Sequence, residues 1–342
     1  MSDAADEMPQ AALSAWTAEH APSVGAVREV EKFPGGFSNL TYKIAADGGT
    51  FVVRRPPRGV GPGVAHDMAR EYRILSVLAA RGVAAPRPVA LCEDAGIVGA
   101  PFYIMERVAG RILRGVPDPV PGAEVMRGLS ESFVKTLVAI HSIGPDDPAI
   151  AALGRGSGYV ARQVAGWTSR WEKSRTEDVP AMDEVGGWIL SNQPGDSGSC
   201  LVHNDFKYDN LVLSGSDLTQ IVGVLDWEMA TLGDPLLDVG TTLGYWVEAS
   251  DHPAFRALGL GSTALPGNYM RAEVWARYLE LTGREFVPMT WYRAFGMFKI
   301  AVIAQQIFAR FSRGLAPDER FSRLGDAVRL LGSVAMEEAS GA

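Results

Sequence analysis

Leu201-Val202-His203-Asn204-Asp205-Phe206-Lys207-Tyr208-Asp209-Asn210, followed downstream by Val224-Leu225-Asp226-Trp227-Glu228, is the stretch on which the reading of this chain turns. Transfer of a phosphoryl group asks little covalent chemistry of a protein. It needs a carboxylate to orient the attacking hydroxyl, and oxygen ligands to hold magnesium on the nucleotide phosphates. Asp205 suits the first task. Asn210, through its neutral amide oxygen, and Asp226, at the end of an apolar strand, suit the second. The H-x-D-x-x-x-x-N spacing from His203 to Asn210 is specific to such sites. The competing reading is a polar turn between two strands, since His, Asn and Asp all suit loops.

Working outward, 342 residues at 47% hydrophobic are enough to bury a large core in one or two domains. A formal net charge of −8 and the lack of a basic run argue against a general nucleic-acid binder. The acidic start, Met1 to Glu7, lacks the layout of a signal peptide. The longest apolar run, Ala294 to Ala309, is interrupted by Lys299, Gln305 and Gln306, so no membrane span is predicted. Cys92 and Cys200 are too few for a disulfide framework and have no zinc spacing, which fits a reducing cytoplasm.

Upstream the pattern is strand-rich. After an N-terminal helical stretch over about 11–19, Val27–Phe33 and Leu40–Ala45 are predicted strands. They flank Pro34-Gly35-Gly36-Phe37-Ser38-Asn39, a glycine turn whose amides can approach an anion. Phe51–Arg55 is the next strand, stopped by Pro56-Pro57. Its period of two puts Val52 and Arg54 on one face, which makes Arg54 the candidate phosphate contact; a register one residue off puts Arg55 there. Asp67 can cap a helix running to Arg81, with Met68, Tyr72, Leu75 and Leu78 on one face. Glu71 lies beside that stripe, placed to pair with the strand cation. Val89–Glu93 and Pro101–Met105 complete the strands. Glu106 to Gly110 then leads to a second lobe, with backbone groups free to bond an adenine edge.

From Glu124 onward the periodicity is helical. Val125, Leu129, Phe133, Leu137 and Ile140 recur at three- and four-residue steps, closing near His141, which reads as a hydrogen-bonded helix end. A second helix over about 157–175 carries Tyr159, Val164, Trp167 and Trp171 as core. Gly195-Asp196-Ser197-Gly198 has the letters of a serine-protease nucleophile segment, but in a loop of a largely helical region. Asp234 and Asp238 read as caps and loop anchors. Helices over about 272–282 and 291–313 follow.

The ordered set Gly35-Gly36-Phe37-Ser38-Asn39-Leu40-Thr41-Tyr42, His203-Asn204-Asp205 with Asn210, Asp226-Trp227-Glu228, and Gly233-Asp234-Pro235 with Asp238 resembles the aminoglycoside phosphotransferase family, over nearly the whole chain. The resemblance implies an α+β, bilobal protein-kinase-like fold. Its parts are an extension over 1–23, a mainly β nucleotide-binding N-lobe over 24–107, and a mainly α C-lobe over 108–342 for catalysis and substrate. It also implies ATP and Mg2+ as cofactors and Asp205 as catalytic base, assisted by Lys207. Asn210 and Asp226 become the metal ligands, Ser38 and Asn39 lie near phosphate, Arg54 pairs with Glu71, and the backbone of Glu106 and Val108 meets the adenine.

Arg54 stands where many relatives have lysine, and Asn204 where the family commonly has glycine. Trp291 to Gln306, with Arg54-Arg55-Pro56-Pro57, is similar to the kinase domain fused to some acyl-CoA dehydrogenases. That likeness implies a small-molecule hydroxyl substrate of the hydroxyacyl-CoA kind and a possible acyl-CoA dehydrogenase partner. Arg293, Lys299 and Arg310 then either meet an anionic substrate or face water. The alternatives are an antibiotic kinase and a nucleotide-binding pseudokinase or scaffold; GTP in place of ATP also stays open.

Overall fold

The computed structural model describes residues 7–33, 39–57, 66–315 and 318–341. The glycine turn over 34–38, and with it Ser38, lies outside the described residues. Two compact units emerge.

The first unit runs to Arg111 and takes in Val212–Gly215 and Val222–Ala230. It opens with α1 (Gln10–His20), followed by β1 (Val27–Lys32), β2 (Leu40–Ala46), β3 (Gly49–Arg55), α2 (Met68–Ala80), β4 (Pro88–Cys92), the short α3 (Ala95–Val98) and β5 (Phe102–Glu106). The strands form one antiparallel sheet in the order β1-β2-β3-β5-β4. Alternation decides its faces. Tyr42, Ile44, Val53, Phe102 and Ile104 are buried with Leu13 and Val24 in an apolar core, while β1 exposes most of its residues. Asp67 caps α2 by accepting from the Arg70 N–H at 2.9 Å. The buried face of α2 carries Glu71, Ile74, Leu75 and Leu78, so Glu71 sits inside the apolar stripe and not beside it.

Chain pairing carries this unit past Arg107. Arg111 and Leu213 exchange both backbone hydrogen bonds at 2.8 Å, and the Val224 N–H donates to Ala84 O at 2.9 Å. The ribbon β7–β8 (Leu211–Leu213, Ile221–Val224) and the residues after it thereby bring Asp226 into the first unit. Val108 packs on this ribbon, where a Cβ on Gly223 would meet its side chain at 3.0 Å.

The second unit is mainly helical. It contains α4 (Ala123–His141), α5 (Pro148–Ala151), α6 (Tyr159–Ser174), α7 (Pro180–Ser191), α8 (Pro235–Tyr245), α9 (Pro253–Arg256), α10 (Arg271–Thr282), α11 (Thr290–Ser312) and α12 (Leu324–Ser340). The small pair β6 (Cys200–Val202) and β9 (Thr231–Gly233) belongs to it. At its centre lies α11, packed by α6, α7, α8 and α12. By length and composition this 23-residue helix could cross a membrane, yet most of it is buried inside the unit. Two of its buried polar residues have partners there. Gln305 donates to Ser174 O at 2.8 Å and to Thr176 Oγ1 at 2.9 Å, and Arg293 pairs with Glu338. Arg293 and Lys299 are both buried, so of the three bases in this region only Arg310 is exposed. The protease-like letters also have a structural use: the Asp196 carboxylate accepts the N–H groups of Tyr159 and Val160 at the start of α6.

Candidate functional site: two sets of polar residues

In the first unit, β3 delivers Arg54 into a ring of carboxylates. Nη2 donates to Asp226 Oδ1 and to Glu228 Oε2, both at 2.8 Å, and Nε lies 3.3 Å from Glu71 Oε2. Asn39 Nδ2 donates to the same Glu228 oxygen at 3.0 Å. Arg55 turns the other way, donating to Tyr42 OH at 3.1 Å and Pro56 O at 3.2 Å in a fully buried pocket of its own. Period-two geometry thus selects Arg54 of the two arginines. Glu106 ends β5 with its N–H already donated to Arg87 O at 2.8 Å.

The electrostatics follow from three acids meeting one base. Burial disfavours the Arg54 charge, but Glu71 and, behind it, Tyr103, Asp226 and Glu228 outweigh this, and its pKa rises. Burial raises the Glu71 carboxyl against the pull of Arg54. Burial and then repulsion from Asp226 push Glu228 up to about 7. The guanidinium therefore stays charged, while burial first and repulsion from Asp226 after it raise the Glu71 and Glu228 carboxyls. Asp226 itself sits in left-handed backbone, φ +67°, which turns its carboxylate out of the line of β8.

In the second unit, the turn after β6 holds Asp205. Its Oδ1 accepts from Lys207 Nζ at 2.9 Å and its Oδ2 from Asn210 Nδ2 at 2.9 Å, while Asn210 also donates to the Asp205 carbonyl at 2.8 Å. Because Asn210 uses its amide nitrogen for these bonds, its amide oxygen is left for other partners. Lys207 lies 4.5 Å over the Tyr245 ring.

The turn is built from behind. Asp238, on α8, accepts the N–H groups of His203 at 2.8 Å and Asn204 at 2.7 Å, and His141 Nε2 donates to it at 3.0 Å. Burial opposes the Asp238 charge, but the hydrogen bond and charge of His141, together with His203, outweigh it and hold the carboxyl below its usual range. Asn204 has φ +67°. This is backbone that suits glycine best and asparagine next, which explains the tolerance of Asn at this position.

Asn204→Gly is accordingly expected to change stability by less than about 1 kcal/mol, since relief of the left-handed strain offsets the lost bonds to Tyr159. Asn204→Val should cost about 2 kcal/mol or more by adding β-branched strain. Urea unfolding of both variants checks the pair, and equal losses would disprove the backbone argument.

Of the residues singled out in the sequence, Arg54, Glu71, Asn39 and Asp226 converge in one unit, and Asp205, Lys207 and Asn210 in the other. Glu228, Asp238 and Lys299 have site contacts that motif spacing did not assign. For Lys299 the available signal was a single cation within an otherwise apolar helical run.

The phosphotransferase enzyme family, APH, matches residues 29–281. Acyl-CoA dehydrogenase family member 11 of Rattus norvegicus is 32% identical over 309 residues, which is 88% of this chain and 39% of that protein. Family member 10 of Mus musculus is 32% identical over 91% of this chain and 29% of its own length. The chain thus spans well under half of these curated relatives. A solved Ralstonia eutropha structure with a provisional aminoglycoside phosphotransferase description superimposes with a TM-score of 0.82 at 30% identity, covering 98% of this chain and 99% of that one. Macrolide 2′-phosphotransferase type I shares the fold with a TM-score of 0.62 at 19% identity, over 94% of this chain and 96% of its own. With a family match over residues 29–281, a 30% identical solved structure covered almost end to end, and an antiparallel sheet in one unit with helices in the other, this chain belongs to the APH phosphotransferase enzyme family.

Proposed function

We propose that the protein is an ATP- and magnesium-dependent small-molecule kinase that phosphorylates an alcohol, with a hydroxyacyl-CoA-like metabolite as the acceptor class. The observation that carries the reading is the hold on Asp205: two side chains fix its two carboxylate oxygens, as a residue that must aim a hydroxyl requires.

The donor set fits the cofactors. Asp226 offers a partly exposed carboxylate and Asn210 an amide oxygen, the hard oxygen ligands that magnesium takes. Magnesium, when bound with the nucleotide, neutralises charge on the transferring phosphate. Asp205 orients the acceptor hydroxyl and takes its proton at the carboxylate. Lys207 and Arg54 offset phosphate charge, and Glu71 keeps Arg54 in place. Neighbours of like fold support nucleotide use: one aminoglycoside 2′-phosphotransferase was solved with GDP, and APH(4)-Ia with AMP-PNP and hygromycin B. The acyl-CoA dehydrogenase relatives favour an acyl-CoA-linked acceptor and a dehydrogenase partner over an antibiotic.

A transfer screen tests this, using ATP and magnesium against hydroxyacyl-CoAs, aminoglycosides, macrolides, choline-like alcohols and sugars. Labelled phosphate is expected on the hydroxyacyl-CoA class. Transfer only to aminoglycosides or macrolides would replace the metabolic reading with the antibiotic one, and nucleotide binding without any transfer would favour a scaffold.

A further inference from the structure

Lys299 lies midway along α11 and is 2% exposed. Burying an ammonium is costly unless it is paired or strongly hydrogen-bonded. Here Nζ meets a backbone carbonyl, donating to Asn204 O at 2.9 Å with Asn204 Oδ1 at 3.4 Å, and the Trp167 ring is 5.6 Å away. Burial pulls its pKa down to about 8; Asp238 and Asp205 favour the charge, while Lys207 and Arg170 oppose it.

The carbonyl it grips belongs to the peptide unit joining Asn204 to Asp205. The other end of that unit, the Asp205 N–H, donates to His203 Nδ1 at 3.2 Å. Asp238 takes the two preceding N–H groups. Three consecutive peptide units around a left-handed residue are therefore held from α8 on one side and α11 on the other.

We propose that Lys299 is a positioning residue for phosphoryl transfer: by locking the Asn204–Asp205 peptide plane it fixes the direction of the Asp205 carboxylate. The catalytic part of this inference rests on the kinase reading above; the clamp itself does not.

Lys299→Met preserves chain length and bulk and removes the donor. Hydrogen exchange over residues 203–210 is expected to be about tenfold or more faster in the variant than in the wild type, while α8 and α11 keep their protection. The melting temperature should stay within about 4 °C, because relief of the buried charge offsets the carbonyl left without its donor. ATP turnover, as hydrolysis or as transfer to the acceptor found above, should fall about 10- to 100-fold in kcat with KM for ATP nearly unchanged.

Unchanged exchange over 203–210 would overturn the proposal. So would faster exchange throughout α8, α11 and α12 with a fall of about 10 °C or more, which marks plain core packing. Lys299→Gln, which keeps an N–H donor on a shorter stem, is measured alongside, so that the comparison survives if the methionine variant does not fold. If the wild type turns over no ATP, the kinase reading fails, and local exchange alone decides the clamp.

Discussion

Asp205→Ala is expected to cut turnover about 10²- to 10⁴-fold while leaving the fold and nucleotide affinity in place. The size follows from the role: a carboxylate held on both oxygens, with its side chain 15% exposed, is already oriented before an acceptor arrives. Its removal leaves the neighbours anchored. Lys207 keeps the Tyr245 ring, and Asn210 keeps the carbonyl of residue 205, which alanine retains. The lost rate can then be assigned to the carboxylate and not to a collapsed turn. Initial rates with the acceptor from the transfer screen, beside circular dichroism and a melting curve, make the measurement. Turnover within about threefold of wild type would remove Asp205 from the base role.

Arg54→Met should be the most damaging change in the first unit, costing about 3–5 kcal/mol, because it leaves Glu71, Asp226 and Glu228 facing each other without their shared cation. Methionine replaces much of the bulk, so the loss is electrostatic and has a pH signature. Glu71 and Glu228 have folded-state pKa values raised by burial even with Arg54 present. Acids raised in this way cost nothing when protonated in both states, and their penalty grows as pH climbs through the folded pKa. The deficit of the variant against wild type should therefore be smaller near pH 5.5 than near pH 8. Melting curves at both values test the sign, and a deficit that shrinks on going to higher pH would show that Arg54 acts through packing. Nucleotide affinity should fall in the same variant.

Much of this was legible from residues alone. Strand ends in the first unit follow from β-branched runs and their proline and glycine stops, and Asp67 announced the start of α2. What sequence could not supply were contacts across long chain separations. The placement of Asp226 depends on Arg111 pairing with Leu213, about a hundred residues apart, which no local pattern encodes. The helix α7 went unread because Gly186-Gly187 weakens its intrinsic propensity; in the fold Gly186 lies against Phe298, where a Cβ would stand 3.4 Å from the ring. Lys299 was read as either a substrate contact or a solvated base because charge is normally a surface sign, and only the packed unit shows its carbonyl partner.

The two helices that grip the Asn204 turn approach each other through glycine. A Cβ on Gly240 of α8 would lie 2.5 Å from Tyr292 O, one on Gly244 would lie 2.8 Å from the Gly296 carbonyl carbon, and one on Gly296 of α11 would overlap the Gly240 carbonyl. Asp238 and Lys299 ride on these same helices. The separation between the acid and the base is thus gauged by residues with no side chain at all. Anyone transplanting the ten-residue motif into another scaffold would bring the reactive letters and leave the ruler behind. A graft that included Gly240, Gly244 and Gly296 would carry the calibration with it.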